Sequence, residues 1–245
     1  MQPWCALCLM LFMVASVGAQ VRSAADSGDP DALYAERESL EQATQAEAIW
    51  AQRLSRDPQD FESAWKLARA RYWLGGHAPD AERRGRLEAG ITAGRAAVAL
   101  QPNRPEGHFW IAANMGALAE SFGLRQGLKY RGAIKEELTT VLRLDPGFQD
   151  GSADRALGRW YFKVPGLFGG SKSKSEQHLR QSLTYASQST ASLFFLAETL
   201  LELGRTMEAR AALQATIDAP ISPDWAPEDR EFKSKARIAL QRLSR

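Results

Sequence analysis

The sequence predicts an all-α protein, a solenoid of stacked helix pairs finished by a polar C-terminal capping helix. Three observations carry this. Alternating, strand-like runs are missing after residue 33, where Ala, Leu, Arg, Glu and Gln dominate, and these residue types favour helices. Apolar stretches that end in a proline turn recur at a fixed interval: RLSRDPQD, AVALQPNR and VLRLDPGF place Pro58, Pro102 and Pro146 44 residues apart. One more step of that length reaches Thr190 in YASQSTAS, which joins two helical patterns in the same way. A constant period with helical content is the signature of a stacked repeat. Finally, PEDREFKSKARIALQRLSR leads with acids and trails with bases, as a helix dipole favours, and reads as the polar end-cap that a solenoid needs.

The last full unit, SLFFLAETLLELGRTMEARAALQATIDAP, shows which repeat this is. Leu193, Leu196, Ala197 and Leu200 mark one face of a first helix, Gly204 supplies the turn, and Ala209, Leu213 and Thr216 mark a second helix. Small residues at 197 and 209 allow close approach, which is the tetratricopeptide pattern. The earlier units exceed the usual length of about 34 residues. In the first, FESAWKLARARYWLGG and a helix from Arg84 to Leu100 are expected to flank an enlarged loop, GGHAPDAERR. The second pairs HFWIAANMGALAESFG with GLKYRGAIKEELTTVLRLD. The third pairs ADRALGRWYF with a helix over 173–186 through the loop KVPGLFGGSK, and Ser173 with Glu176 fits a capping box. Leu33 to Leu54 is expected to form one opening helix. Asp229–Lys233 and Glu231–Lys235 are expected as i,i+4 pairs on the surface of the closing helix.

The N-terminal end differs. Residues 1–21 carry no charged side chain, and the apolar run Trp4–Val17 precedes the small residues Val17-Gly18-Ala19. This predicts a signal peptide over residues 1–19, a linker over 20–32 and the helical domain over 33–245. The expected location is therefore periplasmic or secreted, with membrane attachment only if the leader is retained. The run is shorter than the roughly 20 residues of a comfortable span. Both cysteines, Cys5 and Cys8, fall in the leader and begin its apolar run rather than end it. No lipobox is formed, and the mature chain holds no disulfide or thiolate site.

Composition narrows the function further. With 31 basic and 29 acidic residues the net charge is +2, which does not supply the concentrated basic face that nucleic acid requires. No G-x-S-x-G elbow, P-loop or H-E-x-x-H occurs, and His77, His108 and His178 lie in separate units. No enzyme activity, metal or cofactor is expected. Binding is left, and the candidate residues cluster on first helices. They are Trp65 and Tyr72, then His108, Trp110 and Asn114, then Arg159 and Trp160, with Phe168 in the PGLFGGSKSK loop. Aromatic residues and arginine dominate binding hot spots, yet a solenoid also needs large residues to fill its stack. His108 suits either a polar contact in a groove or a brace to the preceding loop. Asn114 suits either a hydrogen bond to a ligand or a buried carbonyl. Lys172 and Lys174 enter a helix start that attracts anions, while Leu167 and Phe168 offer an apolar tip.

GHFWIAANMGALAE (107–120) and LGRWYFKVPGLFGGSKSKSEQHLRQSL (157–183) resemble the T-component family of TRAP transporters and the related regulators of microtubule dynamics, which share a helix-pair core. The similarity spans roughly residues 55–220. It implies tetratricopeptide-like pairs with family-specific insertions, and a periplasmic protein that associates with a transporter's solute-binding protein. The resulting expectation is a protein-interaction scaffold, to which the resemblance adds an accessory role in solute uptake. The alternative is a carrier that holds a small apolar ligand between the helices.

Overall fold

Side-chain caps and prolines decide where each helix begins. Asp29, Ser39 and Asp60 accept from backbone amides at the starts of α1 (Pro30–Ala35), α2 (Leu40–Arg56) and α3 (Phe61–His77), which satisfies donors that a helix start leaves open. Proline precedes α4 (Asp80–Leu100) and opens α5 (Pro105–Ser121). Gly123, at φ 79°, turns the chain into α6 (Gly123–Leu144). Then follow α7 (Phe148–Lys163), α8 (Lys172–Tyr185), α9 (Thr190–Glu202), α10 (Thr206–Asp218) and α11 (Ala226–Leu243). This computed structural model describes residues 28–243, and among them there is no strand. The expected leader with Cys5 and Cys8 lies outside the described residues.

Helices α3/α4, α5/α6, α7/α8 and α9/α10 form four pairs, and the 44-residue beat marks the start of each first helix. α1 is a rudimentary first helix whose partner is α2, and α11 is a final, unpaired first helix. The all-α, tetratricopeptide-like solenoid is the observed architecture.

Several local expectations change. The opening helix is not continuous from Leu33 to Leu54. It breaks after Ala35 because Ser39 caps a new helix and the buried Arg37 turns its guanidinium away to Glu228 and the Asp224 carbonyl. The enlarged loop after Trp73 is absent. α3 continues through Gly75 and Gly76 to His77, and only Ala78 and Pro79 separate it from α4. The glycine is needed there, since a Cβ on Gly75 would lie 2.5 Å from the Leu87 side chain. The extra length of the early units resides in long helices, 21 residues in α4 and 22 in α6.

The capping residue of α8 is Ser171, not Ser173. Its amide donates to the Tyr161 carbonyl and its hydroxyl accepts from Lys174 N, while Glu176 pairs with Arg180 and Arg205. Asp229 does not pair with Lys233. It is buried and accepts from Thr190 and the Ser222 amide, while Lys233 donates to the Ile217 and Ala219 carbonyls. Glu231–Lys235 does form, at 3.4 Å.

Two main apolar cores result, with a small third cluster of Phe61, Ala64 and Ala97 where α3 meets α4. The larger runs from Tyr34 to Tyr161 across α1–α7, and the smaller gathers Leu179, Leu196, Leu213 and Ala236. Hydroxyl pairs stitch α8 to α9, Ser175–Thr199 and Ser182–Ser192 at 2.9 Å each. Small residues set the spacing elsewhere. A Cβ at Gly90 would fall 2.1 Å from Asn114 Oδ1, and one at Gly158 2.5 Å from Leu179 Cγ.

The stack curls far enough to meet itself. Arg37, in the α1–α2 turn, donates to Glu228 of α11 through Nε at 3.1 Å and Nη2 at 2.5 Å. Glu38 receives Arg230, and His77 at the end of α3 lies 2.5 Å from Glu231. The capping helix therefore does more than seal the stack, because it latches the last unit to the first.

The central cavity as candidate functional site

First helices face inward in this stack. Their inner faces, with α1, part of α6 and the α8–α9 turn, line a central, half-open cavity of about 1250 Å³. That is above the usual range of roughly 300–1,000 Å³ for small-molecule sites. One wall is aromatic. Tyr72 of α3 packs against Trp110 of α5 at 5.6 Å between ring centroids, and Trp110 packs edge-on against Phe109. Opposite, Phe194 and Phe195 of α9 meet Phe232 of α11 at 5.6 and 5.3 Å. These rings are where a first helix must be large to fill the inside of a curve.

The charged side chains of the cavity are nearly all paired. Arg159 of α7 bridges Glu120 of α5 at 3.0 Å and Glu198 of α9 at 2.6 Å. Burial works against both charges of the Arg159–Glu120 pair. Their hydrogen bonds and mutual attraction, with the help of Lys163 and Glu198, together outweigh it, so Glu120 is held below the usual carboxylate range and Arg159 above its ordinary value. Lys163 lies 3.5 Å from Glu120 and Lys235 pairs with Glu231. Burial, above all, pushes the Tyr72 hydroxyl up to about 12, so it is a neutral donor across the physiological range. Its exposure is to the cavity.

Four of the eight residues singled out in the sequence line this space: Tyr72, Trp110, Arg159 and Trp160. Trp160 also donates its Nε1 to the Arg131 carbonyl at 2.9 Å. The others lie elsewhere. Trp65 lies two turns before Tyr72 on α3 but does not line the cavity; its Nε1 donates to Glu62 and Arg69 stacks at 5.0 Å. His108 braces α5, with Nδ1 2.5 Å from Glu137 and Nε2 3.0 Å from the Pro102 carbonyl. Asn114 is fully buried, and its Nδ2 donates to the Ala68 and Trp110 carbonyls, tying α5 to α3. Phe168 lies at the surface below Arg131, beside Leu167, which is 90% exposed. Lys172 is held in that loop by the Phe162 carbonyl at 2.8 Å and the Phe162 ring at 3.5 Å.

Sequence reasoning passed over Phe194, Phe195, Phe232 and Arg155. A signal existed. Phe194 and Phe195 occupy a first helix of the repeat, and Arg155 precedes Arg159 by four residues, hence on the same face. No group of three or more metal-ligating side chains occurs among the described residues. None of the described helices is long and apolar enough to cross a membrane.

The family model of the TRAP transporter T-component matches residues 106–236, more than half of the chain. The chain belongs to the TRAP transporter T-component family. The model described as Regulator of microtubule dynamics protein 1-3 matches residues 29–168, also more than half, so this T-component relative is equally a member of that helix-pair group. Among solved structures, a thermophilic TPR protein of Thermus thermophilus is 23% identical. The match covers 86% of this chain and 97% of that one with a TM-score of 0.65, a likeness of fold. A crystal structure of MamA is 14% identical over 82% of this chain and 95% of that one, with a TM-score of 0.49. No curated protein matches the chain.

Proposed function

We propose that this T-component relative is a non-catalytic, periplasmic accessory of TRAP-type solute uptake that holds a small, largely apolar molecule in its central cavity. The observation that carries this reading is the latching of α11 onto the α1–α2 turn. It narrows what would be an open groove into a half-open cavity with aromatic side chains on its walls. An extended peptide needs an open groove. A small molecule needs concave, mostly apolar walls with a few polar groups to orient it. A protein partner, such as a solute-binding protein, then meets the outer surface, where the Leu167–Phe168 tip projects.

The test is a cavity-filling variant. Gly116 lines the cavity, and a Cβ there would meet nothing within 4 Å. Gly116→Phe therefore adds an aromatic ring inside the cavity without a clash at its base, and replaces a helical glycine that costs about 1 kcal/mol. Binding of an apolar fluorescent probe such as N-phenyl-1-naphthylamine is expected to fall at least about tenfold in the variant, with its thermal midpoint preserved. Equal binding by both proteins, or no binding by the wild type, overturns the carrier reading.

A further inference from the structure

Arg155 is the one cation of the cavity that escapes polar pairing among the described residues, as Asp150 is a carboxylate that does. It lies on α7 one turn before Arg159 and lines the cavity. Among the described residues it makes no hydrogen bond and no ion pair, and its ring contact is Trp225, 5.9 Å from the guanidinium carbon. The other cations of the cavity are engaged. Arg159 has Glu120 and Glu198, Lys163 has Glu120, Lys235 has Glu231, and Arg131 donates to the Leu128 carbonyl at 2.8 Å. A guanidinium stays charged at any physiological pH and carries five donors in a planar fork. This one is half-buried in the cavity wall, and burial lowers its pKa from the ordinary arginine value. A charge so placed is costly unless something with acceptors meets it.

The surroundings define what can meet it. The Tyr72 hydroxyl also lines the cavity and has no hydrogen-bond partner among the described residues. Behind Tyr72 lies Trp110, whose buried indole Nε1 is likewise without a partner among them. Asp150, Glu228 and Asp229 act on Arg155 at longer range, none within 4 Å. Glu228 is spent on Arg37, and Asp229 on Thr190 and Ser222. With three carboxylates near this cation, of which only Glu228 has a cationic partner among the described residues, a phosphate dianion is repelled about twice as strongly as a carboxylate monoanion. Much of the remaining wall is apolar, with Trp110, Phe194, Phe195 and Phe232 on it.

Building on the carrier reading, we propose that the cavity binds an amphipathic monocarboxylate. Its carboxylate is taken by the Arg155 guanidinium with the Tyr72 hydroxyl as second donor, and its apolar body lies against Trp110, Phe194, Phe195 and Phe232. A guanidinium matches a carboxylate in plane and spacing, and charge-assisted bonds of this kind are about twice as strong as neutral ones.

The test uses two probes of the same chain length, decanoate and decanol, titrated by calorimetry at neutral pH into the full mature protein and into Arg155→Met and Tyr72→Phe. The wild type is expected to bind decanoate at least about tenfold more tightly than decanol. R155M keeps its decanol affinity and loses the preference, while Y72F loses part of it. Equal affinity of the wild type for the two probes overturns the proposal and leaves the carrier reading standing, as does a preference that survives in R155M. Failure of both probes to bind the wild type overturns both. The wild-type comparison and Y72F keep the test decisive if R155M does not fold.

Discussion

The latch between Arg37 and Glu228 predicts a measurable coupling between residues 191 positions apart. The Arg37 side chain is 4% exposed and that of Glu228 23%, and two hydrogen bonds join them. A fully exposed pair is worth about 0–1 kcal/mol, and breaking a fully buried one costs about 3–5 kcal/mol. This half-buried, two-pronged pair falls between, at about 2 kcal/mol of coupling. Arg37→Met also removes donors from the Asp224 and Tyr34 carbonyls, so the single variant loses about 3 kcal/mol. Urea unfolding of the wild type, R37M, E228Q and the double variant gives the coupling by a double-mutant cycle. X-ray scattering of the same proteins reads the shape. The single variants are expected to have a larger radius of gyration, because the solenoid opens where its two ends part. Coupling below about 0.5 kcal/mol, with an unchanged radius, refutes the latch.

Three further outcomes are expected. In the same latch, burial works against the His77 charge, but hydrogen bonds to Glu231 and the Trp73 carbonyl raise its pKa, and His77 in turn lowers that of Glu231. The contribution of His77 is full below its ordinary value near 6.5 and fades as pH rises through its raised folded value. That of Glu231 is full above the ordinary carboxylate range and fades as pH falls through its lowered one. Unfolding of the wild type against His77→Gln should therefore differ more near pH 5.5 than at pH 8.5, by under about 1 kcal/mol for so exposed a pair. A difference that grows with pH contradicts the assignment. Gly90→Ala drives a methyl group to 2.1 Å from the buried Asn114 amide, and should cost about 2–3 kcal/mol by thermal or urea unfolding. A neutral result means that α4 and α5 slide apart freely. Gln149, at φ 44°, opens a left-handed turn with Asp150 and Gly151, and its buried Oε1 has no partner among the described residues. Gln149→Gly is expected to stabilise the protein by about 1 kcal/mol, and a loss of stability would show that the side chain is needed there.

The left-handed turn and the latch mark the limits of what could be read locally. Helices, pairing and repeat length were legible because they depend on neighbours in sequence. Proline at the 44-residue beat, the glycine at 204 with φ 75°, and small residues at 197 and 209 each act within one or two turns. Errors arose where a distant group took over a local signal. Ser173 lost its capping role to Ser171 because the Tyr161 carbonyl claimed the Ser171 amide. Asp229 left Lys233 for Thr190, 39 residues away. The glycines after Trp73 look like a loop but serve the approach of Leu87.

The candidate residues divide on the same line. Any aromatic residue on a first helix can face the cavity or a neighbouring helix, and only the angle between successive pairs decides. Tyr72 and Trp110 face the cavity. Trp65, seven residues before Tyr72 on the same helix, does not, and Asn114, one turn after Trp110, is consumed by the Ala68 carbonyl. Local pattern was enough to specify a helix-pair solenoid with large aromatic side chains on its first helices. It was not enough to specify that the solenoid meets its own end, and so that its inner face is a cavity in which Arg155 stands unpaired among the described residues. Curvature is the sum of small rotations at every helix–helix contact. That sum is set by side chains meeting across the whole stack, and no single stretch of the chain contains it.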